Sequence, residues 1–229
     1  MRAQRSAGLA HSPAPASRGF PIVRAGGARH PGRRSREAAV YLFFDTETTG
    51  LPRNWRAPES ELANWPRLVQ LAWLACGSDG DLLAEGALLV RPEGFSIPAE
   101  ATRVHGITTE QALQSGVALR DALASFAGAV PPGAVAVAHN LSFDERVLGA
   151  EFLRAGLANP LKPLRRICTM LASVDLCRLP GNYGYKWPTL EELHQHLFAA
   201  PPARAHDAGA DARSCARCFF ELRRLGLLD

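Results

Sequence analysis

Five residues of this 229-residue chain could do chemistry together: Asp45 and Glu47, two apart, then Asp144, and then His206 with Asp211 five residues later. Carboxylates are the hard oxygen donors that Mg²⁺ and Mn²⁺ select. An imidazole with an ordinary pKa near ~6.5 can take up a proton at neutral pH. Four acids and one histidine are the donor set expected of a metal-dependent nuclease, in which two cations about 3.5 to 4 Å apart stabilise both the attacking and the leaving oxygen.

Each piece alone has a plainer reading. Asp-x-Glu after a strand is also a solvated turn, an acid in a helix's first turn is favoured by the macrodipole, and His206-Asp207 could be only a cap. Convergence changes the balance, because each like-charge pair at about 4 Å costs on the order of 4 kcal/mol at an effective dielectric of about 20. No arginine or lysine lies within two residues of Asp45, Glu47 or Asp207, and Arg146 and Arg213 fall on other helical faces than Asp144 and Asp211. If the acids converge, cations must offset them.

The elements that must position these residues follow from local pattern. The apolar run 40–44 is a buried strand ending in Asp45-Thr-Glu47-Thr-Thr-Gly50. Residues two apart in a strand face the same side about 6.6 Å apart, so Asp45 and Glu47 project together. Residues 68–76 and 82–91 read as a hairpin around Gly-Ser-Asp-Gly at 77–80. Pro98 opens a short helix, Thr109 is placed to cap a second, and residues 120–130 form a third, which Pro131-Pro132-Gly133 ends. Residues 134–138 read as a buried parallel strand leading into His139-Asn140. Ser142 and Glu145 match a capping box, which puts Asp144 in a helix's first turn. Residues 156–187 give little pattern beyond a helix near 168–176. Thr189 caps a helix to about Phe198, and Asp207 caps a last one to about Leu225, with Asp211, Cys215, Cys218 and Leu222 on one face. The order is three strands, helices, a strand and more helices, hence α/β with a mixed sheet covered by helices.

Composition sets the bounds. With 47% apolar residues the chain suits one domain with a real core. The formal charge is +4, but residues 1–36 hold eight arginines and no acid, leaving 18 basic against 22 acidic residues in the remainder. Nucleic-acid contact by the body must therefore be local, although the arginines could add salt-dependent attraction to phosphates. Residues 1–37 read as a disordered Arg-rich extension, with 38–229 the folded domain. Such a start also has the composition of an organellar import signal. No apolar run approaches the ~20 residues of a membrane span, so no membrane partner is expected. Five cysteines, an odd number, indicate free thiols in a reducing, cytoplasmic compartment. Cys215-x-x-Cys218 lacks a second ligand pair and reads as helix packing rather than zinc.

Four strings carry a resemblance: Phe44-Asp45-Thr-Glu47-Thr-Thr-Gly-Leu-Pro52, His105-Gly-Ile-Thr108, Ala138-His-Asn140-x-x-Phe143-Asp144 and His206-Asp-Ala-Gly-Ala-Asp211. In this order, over about residues 39–225, they resemble the DEDDh (DnaQ-like) 3′-to-5′ exonucleases. That family includes ribonuclease T and the proofreading subunit of bacterial replicative polymerase. The resemblance implies a ribonuclease H-like five-stranded mixed sheet, an antiparallel meander plus parallel strands. It implies two divalent cations, Mg²⁺ or Mn²⁺: Asp45, Glu47 and Asp211 on one, with Asp45 bridging to a second that Asp144 supports. His206 would be the general base for in-line attack of water on the terminal phosphodiester, releasing a nucleoside 5′-monophosphate. Thr48, Thr49, Gly50 and Leu51 would lie under the terminal nucleotide, and His105 and Asn140 are candidate sugar or phosphate contacts. Phe143 either stacks or fills core; Val147, four residues on, favours core.

The expected partner is therefore a single-stranded 3′ end, DNA before RNA, with a polymerase or other replication or repair protein as a further partner. An RNA-trimming enzyme and a non-catalytic docking module are the other readings. Tyr183, Tyr185, Lys186 and Trp187 stand out in the unpatterned stretch as a place for stacking or for plain packing.

Overall fold

The computed structural model describes residues 39–202 and 206–228; the extension read at 1–37 lies outside them. Strand β1 (Tyr41–Thr48) runs antiparallel to β2 (Leu68–Cys76), which pairs antiparallel with β3 (Leu82–Leu89). Helices α1 (Ala99–His105), α2 (Thr109–Ser115) and α3 (Leu119–Ala129) lead to β4 (Val135–Ala138), which pairs with β1 in parallel. Then come α4 (Leu141–Ala155), β5 (Arg165–Cys168), the short helices α5 (Thr169–Ala172) and α6 (Val174–Cys177), and a ribbon of β6 (Pro180–Gly181) and β7 (Gly184–Tyr185). Helices α7 (Leu190–Phe198) and α8 (Ala208–Arg224) close the chain. The five-stranded sheet has the order β3-β2-β1-β4-β5, the mixed α/β sheet expected from the sequence.

Alternation along β1 divides the core. Leu42 and Phe44 face one way, into a cluster with Trp73, Phe126, Leu148 and Phe152 that α3 and α4 cover. Tyr41 and Phe43 face the other way, onto Ala212, Cys215 and Phe219 of α8. Gly86 sits opposite Trp73 on β3, where any Cβ would run into the indole ring, so this position admits only glycine without displacing a core tryptophan.

Three local expectations change. Thr108, not Thr109, caps α2, in a capping box with Gln111; the Thr109 hydroxyl instead accepts from Ile97 N–H at 2.9 Å. Ser142 does not cap α4. That helix starts two residues earlier, from Asn140 in the left-handed conformation (φ 64°), and Glu145 pairs with Arg166 instead of closing a capping box. Residues 165–168, which gave no strand pattern, form the edge strand β5. Thr189 and Asp207 cap α7 and α8 as expected. The five cysteines are free, with Cys215 and Cys218 packed in the core under α8. No helix among the described residues is long and apolar enough to cross a membrane.

Candidate active site

The carboxyl ends of the parallel pair β1 and β4 open on the same edge of the sheet, where α/β folds leave a crevice for ligands. A cavity of about 310 Å³ lies there, and its walls include Asp45, Glu47, Asp144, His206 and Asp211 together with Leu51, Asn140 and Phe143. Sequence positions spread over 167 residues thus meet in one place.

Each side chain is aimed by a specific element. β1 does not end at Asp45 but runs on through Thr48, so Asp45 and Glu47 share the strand face of Tyr41 and Phe43, which α8 covers. The register of β1 on β2 shifts just after Glu47, opposite Gln70, an irregularity of the kind that re-aims side chains beside active sites. Between them Thr46 points toward α4, where its N–H and hydroxyl both donate to Asp144 Oδ1, at 3.0 and 2.7 Å. Asp144 is thereby locked across β1 from the first turn of α4.

On the other side, Asp207 accepts from Ala210 N–H at 2.9 Å as the cap of α8. Ala208 N–H donates to Gln70 Oε1 at 3.1 Å, fixing the helix start to the strand residue facing Glu47. His206 has φ 65°, and its N–H donates to Asp211 Oδ2 at 2.8 Å. Donor atoms of Glu47, His206 and Asp211 lie within 4.8 Å of one another. This tight trio contains His206 where the resemblance put Asp45; Asp45 sits beside it in the same cavity.

The electrostatics are those of an uncompensated acidic cluster. Burial, then Asp211, Asp144 and Asp207, push Glu47 up to about 8. Burial raises Asp144 to about 7, with Asp211 adding, even though the Thr46 hydrogen bonds hold it down. Asp45 is raised by burial and by Asp144, Asp211, Glu47 and Asp207. Asp211 is raised by burial, opposed by His206. Among the described residues the arginines that neighbour Asp144 and Asp211 in sequence are engaged elsewhere: Arg146 donates to the Trp55 and Ala57 carbonyls, and Arg213 pairs with Glu85 at 3.4 Å. Oxygen donors at this density, with no lysine or arginine among the described residues that line the cavity, fit one or more divalent cations.

The remaining candidates divide. Leu51 is 72% exposed on the cavity rim, and Asn140 lines it at the start of α4. Phe143 is half-buried: it packs on the core, as expected, and also faces the cavity, with its ring 5.7 Å from that of Trp55. Thr48, Thr49 and Gly50 shape the loop rather than line the cavity. The Thr48 hydroxyl donates to the Gly50 carbonyl, and Thr49 exchanges two hydrogen bonds with the Arg67 backbone. His105 stands behind that loop. Its Nδ1 accepts from Ile107 N–H at 3.1 Å, and burial lowers its pKa, with the Thr48 backbone opposing and His206 adding.

Besides Thr46, three lining residues had no role in the sequence reading. Trp55 belongs to an irregular polar loop, where an aromatic with no periodic partner is the signal that could have found it. His139 bridges Thr169 Oγ1 at 3.0 Å and the Pro188 carbonyl at 2.9 Å, and burial lowers its pKa to about 4, so it is a neutral strut. Leu190, at the start of α7, completes the wall.

The RNase_T family model, which describes an exonuclease, matches residues 42–219. The chain belongs to this exonuclease family. Among its relatives, an uncharacterized exonuclease, CP81, of Escherichia phage 186 is 29% identical over 185 residues, covering 75% of this chain and 82% of the relative. The 3′-5′ exonuclease DinG of Bacillus subtilis is 27% identical over 184 residues, 80% of this chain but only 17% of the larger protein. Escherichia coli exonuclease I, solved with a dT13 oligonucleotide, shares the fold with a TM-score of 0.65 at 19% identity, over 82% of this chain and 42% of that one. A zinc-bound form of the E. coli exonuclease I complex with single-stranded DNA matches with a TM-score of 0.63 at 20% identity, over 82% of this chain and 41% of the other. This exonuclease thus spans less than half the length of those solved chains.

Proposed function

We propose that this exonuclease removes nucleoside 5′-monophosphates from single-stranded 3′ ends, with DNA preferred to RNA. The observation that carries the reading is the meeting of Asp45, Glu47, Asp144, Asp211 and His206 in one cavity that no lysine or arginine lines among the described residues. A binding module would gain nothing from such a costly arrangement, so a catalytic role is favoured over a docking one.

In this reading Asp45, Glu47, Asp144 and Asp211 hold two divalent cations, Mg²⁺ or Mn²⁺, which when bound supply Lewis acidity and neutralise phosphate charge. His206, exposed at the cavity mouth, takes the proton of the attacking water. Its N–H bond to Asp211 ties the base to the acid cluster. Leu51, Trp55 and Phe143 offer apolar surface to the terminal base, and Asn140 faces the sugar or phosphate. Thr48, Thr49 and Gly50 hold Leu51 in place, with His105 bracing the loop. Single-stranded DNA as the preferred substrate draws support from the exonuclease I complexes, and a 3′-to-5′ direction from the B. subtilis relative. A cytoplasmic setting, and service to a polymerase or other repair machinery, belong to the same proposal; free thiols are consistent with the former.

The test is side-by-side digestion of 5′-labelled single-stranded DNA, duplex DNA and RNA with Mg²⁺ or Mn²⁺. A ladder shortening from the 3′ end of single-stranded DNA, abolished by EDTA and by Asp45→Ala, is expected. Faster shortening of RNA would move the reading to an exoribonuclease, and no metal-dependent product would leave the docking module.

A further inference from the structure

Aromatic side chains are costly to leave in water unless a partner covers them. Among the described residues four aromatics are exposed: Trp55 at 47%, Tyr183 at 104%, Tyr185 at 51% and Trp187 at 63%. Trp55 lines the carboxylate cavity. The other three lie within five residues, on and just beyond the β6–β7 ribbon.

That ribbon is tied to the wall of the same cavity through His139. Pro188, the residue after Trp187, is buried, and its carbonyl contacts His139 Nε2 at 2.9 Å. Both His139 and Leu190 line the cavity. Lys186 N–H donates to the Leu179 carbonyl at 2.9 Å, and Lys186 Nζ pairs with Glu192, which also closes the capping box of α7. The base of the ribbon is thus held from three sides while its aromatic rings face solvent. From Trp187 out to Tyr183 the chain reaches at most about 14 Å, which at about 3.4 Å per stacked base is up to four nucleotides. Lys186 is paired with Glu192, so the charge left on the ribbon itself is small and its exposed surface is mainly aromatic.

We propose that the β6–β7 ribbon is a second nucleic-acid subsite, in which Trp187, Tyr185 and Tyr183 stack on the bases adjoining the terminal nucleotide. This rests on the exonuclease reading above. Continuity with the cavity and a run of exposed rings favour a nucleic-acid strand over a protein as the occupant, and base–aromatic stacking needs no particular sequence. The acidic body then gains its hold on a polyanion from ring faces rather than from a basic surface.

The test compares the full chain with a Tyr183→Ala, Tyr185→Ala, Trp187→Leu triple variant on two substrates. One is a single-stranded 20-mer; the other is the p-nitrophenyl ester of thymidine 5′-monophosphate, too small to reach the ribbon. The variant is expected to raise KM for the 20-mer at least about tenfold while leaving turnover of the ester unchanged. An unchanged KM for the 20-mer overturns the subsite and leaves the ribbon as a surface for a protein. If wild type cleaves neither substrate, the exonuclease reading fails and the subsite with it. If the variant loses both activities through misfolding, crosslinking of the wild type decides. A phosphorothioate-terminated oligonucleotide carrying 5-iodouracil two to five positions from the 3′ end is expected to label Trp187, Tyr185 or Tyr183. Labelling of none of the three overturns the proposal.

Discussion

Glu47 carries the tension of the site in one side chain. Its ordinary pKa of 4.5 is pushed up to about 8, so in the metal-free protein it holds a proton through neutral pH. A raised folded-state pKa gives stability that is fully present below the unfolded value and is lost as pH rises through the folded one. Metal-free protein is therefore expected to melt at progressively lower temperature between pH 5 and pH 9, and Glu47→Gln should flatten that slope and raise the melting temperature at pH 8 while abolishing nuclease activity. A steeper slope in the variant would contradict this. Trp55 tests the rim: Trp55→Ala should raise KM for a single-stranded oligonucleotide about tenfold, the scale of one lost base–aromatic stack, with kcat nearly unchanged. At this scale the meeting of the five residues in one cavity was foreseeable from residue type and spacing taken together with the family resemblance. Trp55 was not, since its importance comes from folding a polar loop against Phe143, which no local period encodes.

The elements place these residues, and their ends proved harder to read than their existence. Ser142 and Glu145 satisfy a capping pattern, yet Asn140, able to adopt φ 64°, lets α4 begin directly after β4, and that early start brings Asp144 over Thr46. β5 escaped because Arg165-Arg166-Ile167-Cys168 is short and half charged, and becomes a strand only by pairing with β4. Helix α4 is also anchored at its far end. Glu151, fully buried, accepts from Arg67 Nε and Leu68 N–H, each at 2.9 Å, with Arg154 Nη1 3.0 Å away. Because Arg67 also holds Thr49, this link connects α4 to the Thr48–Leu51 loop. Glu151→Ala should cost about 3 kcal/mol in urea unfolding, as breaking a buried ion pair does. A loss under about 1 kcal/mol, the worth of an exposed pair, would show the network to be peripheral.

Taken whole, the molecule sets an acidic cluster at the carboxyl edge of a mixed sheet and backs it with core on both faces. The alternation of β1 was enough to foresee which residues face together, while the sheet order required the long-range pairing of β1 with both β2 and β4. Net charge misleads at this scale, because the excess of arginine lies in residues 1–36 and the remainder is acidic. The central claim is that the acids converge in order to hold metal. Counting bound Mn²⁺ per chain by electron paramagnetic resonance at pH 8 tests it most directly. Two ions are expected for the wild type and at most one for Asp144→Asn; a wild-type chain that binds no Mn²⁺ at millimolar concentration would contradict the account.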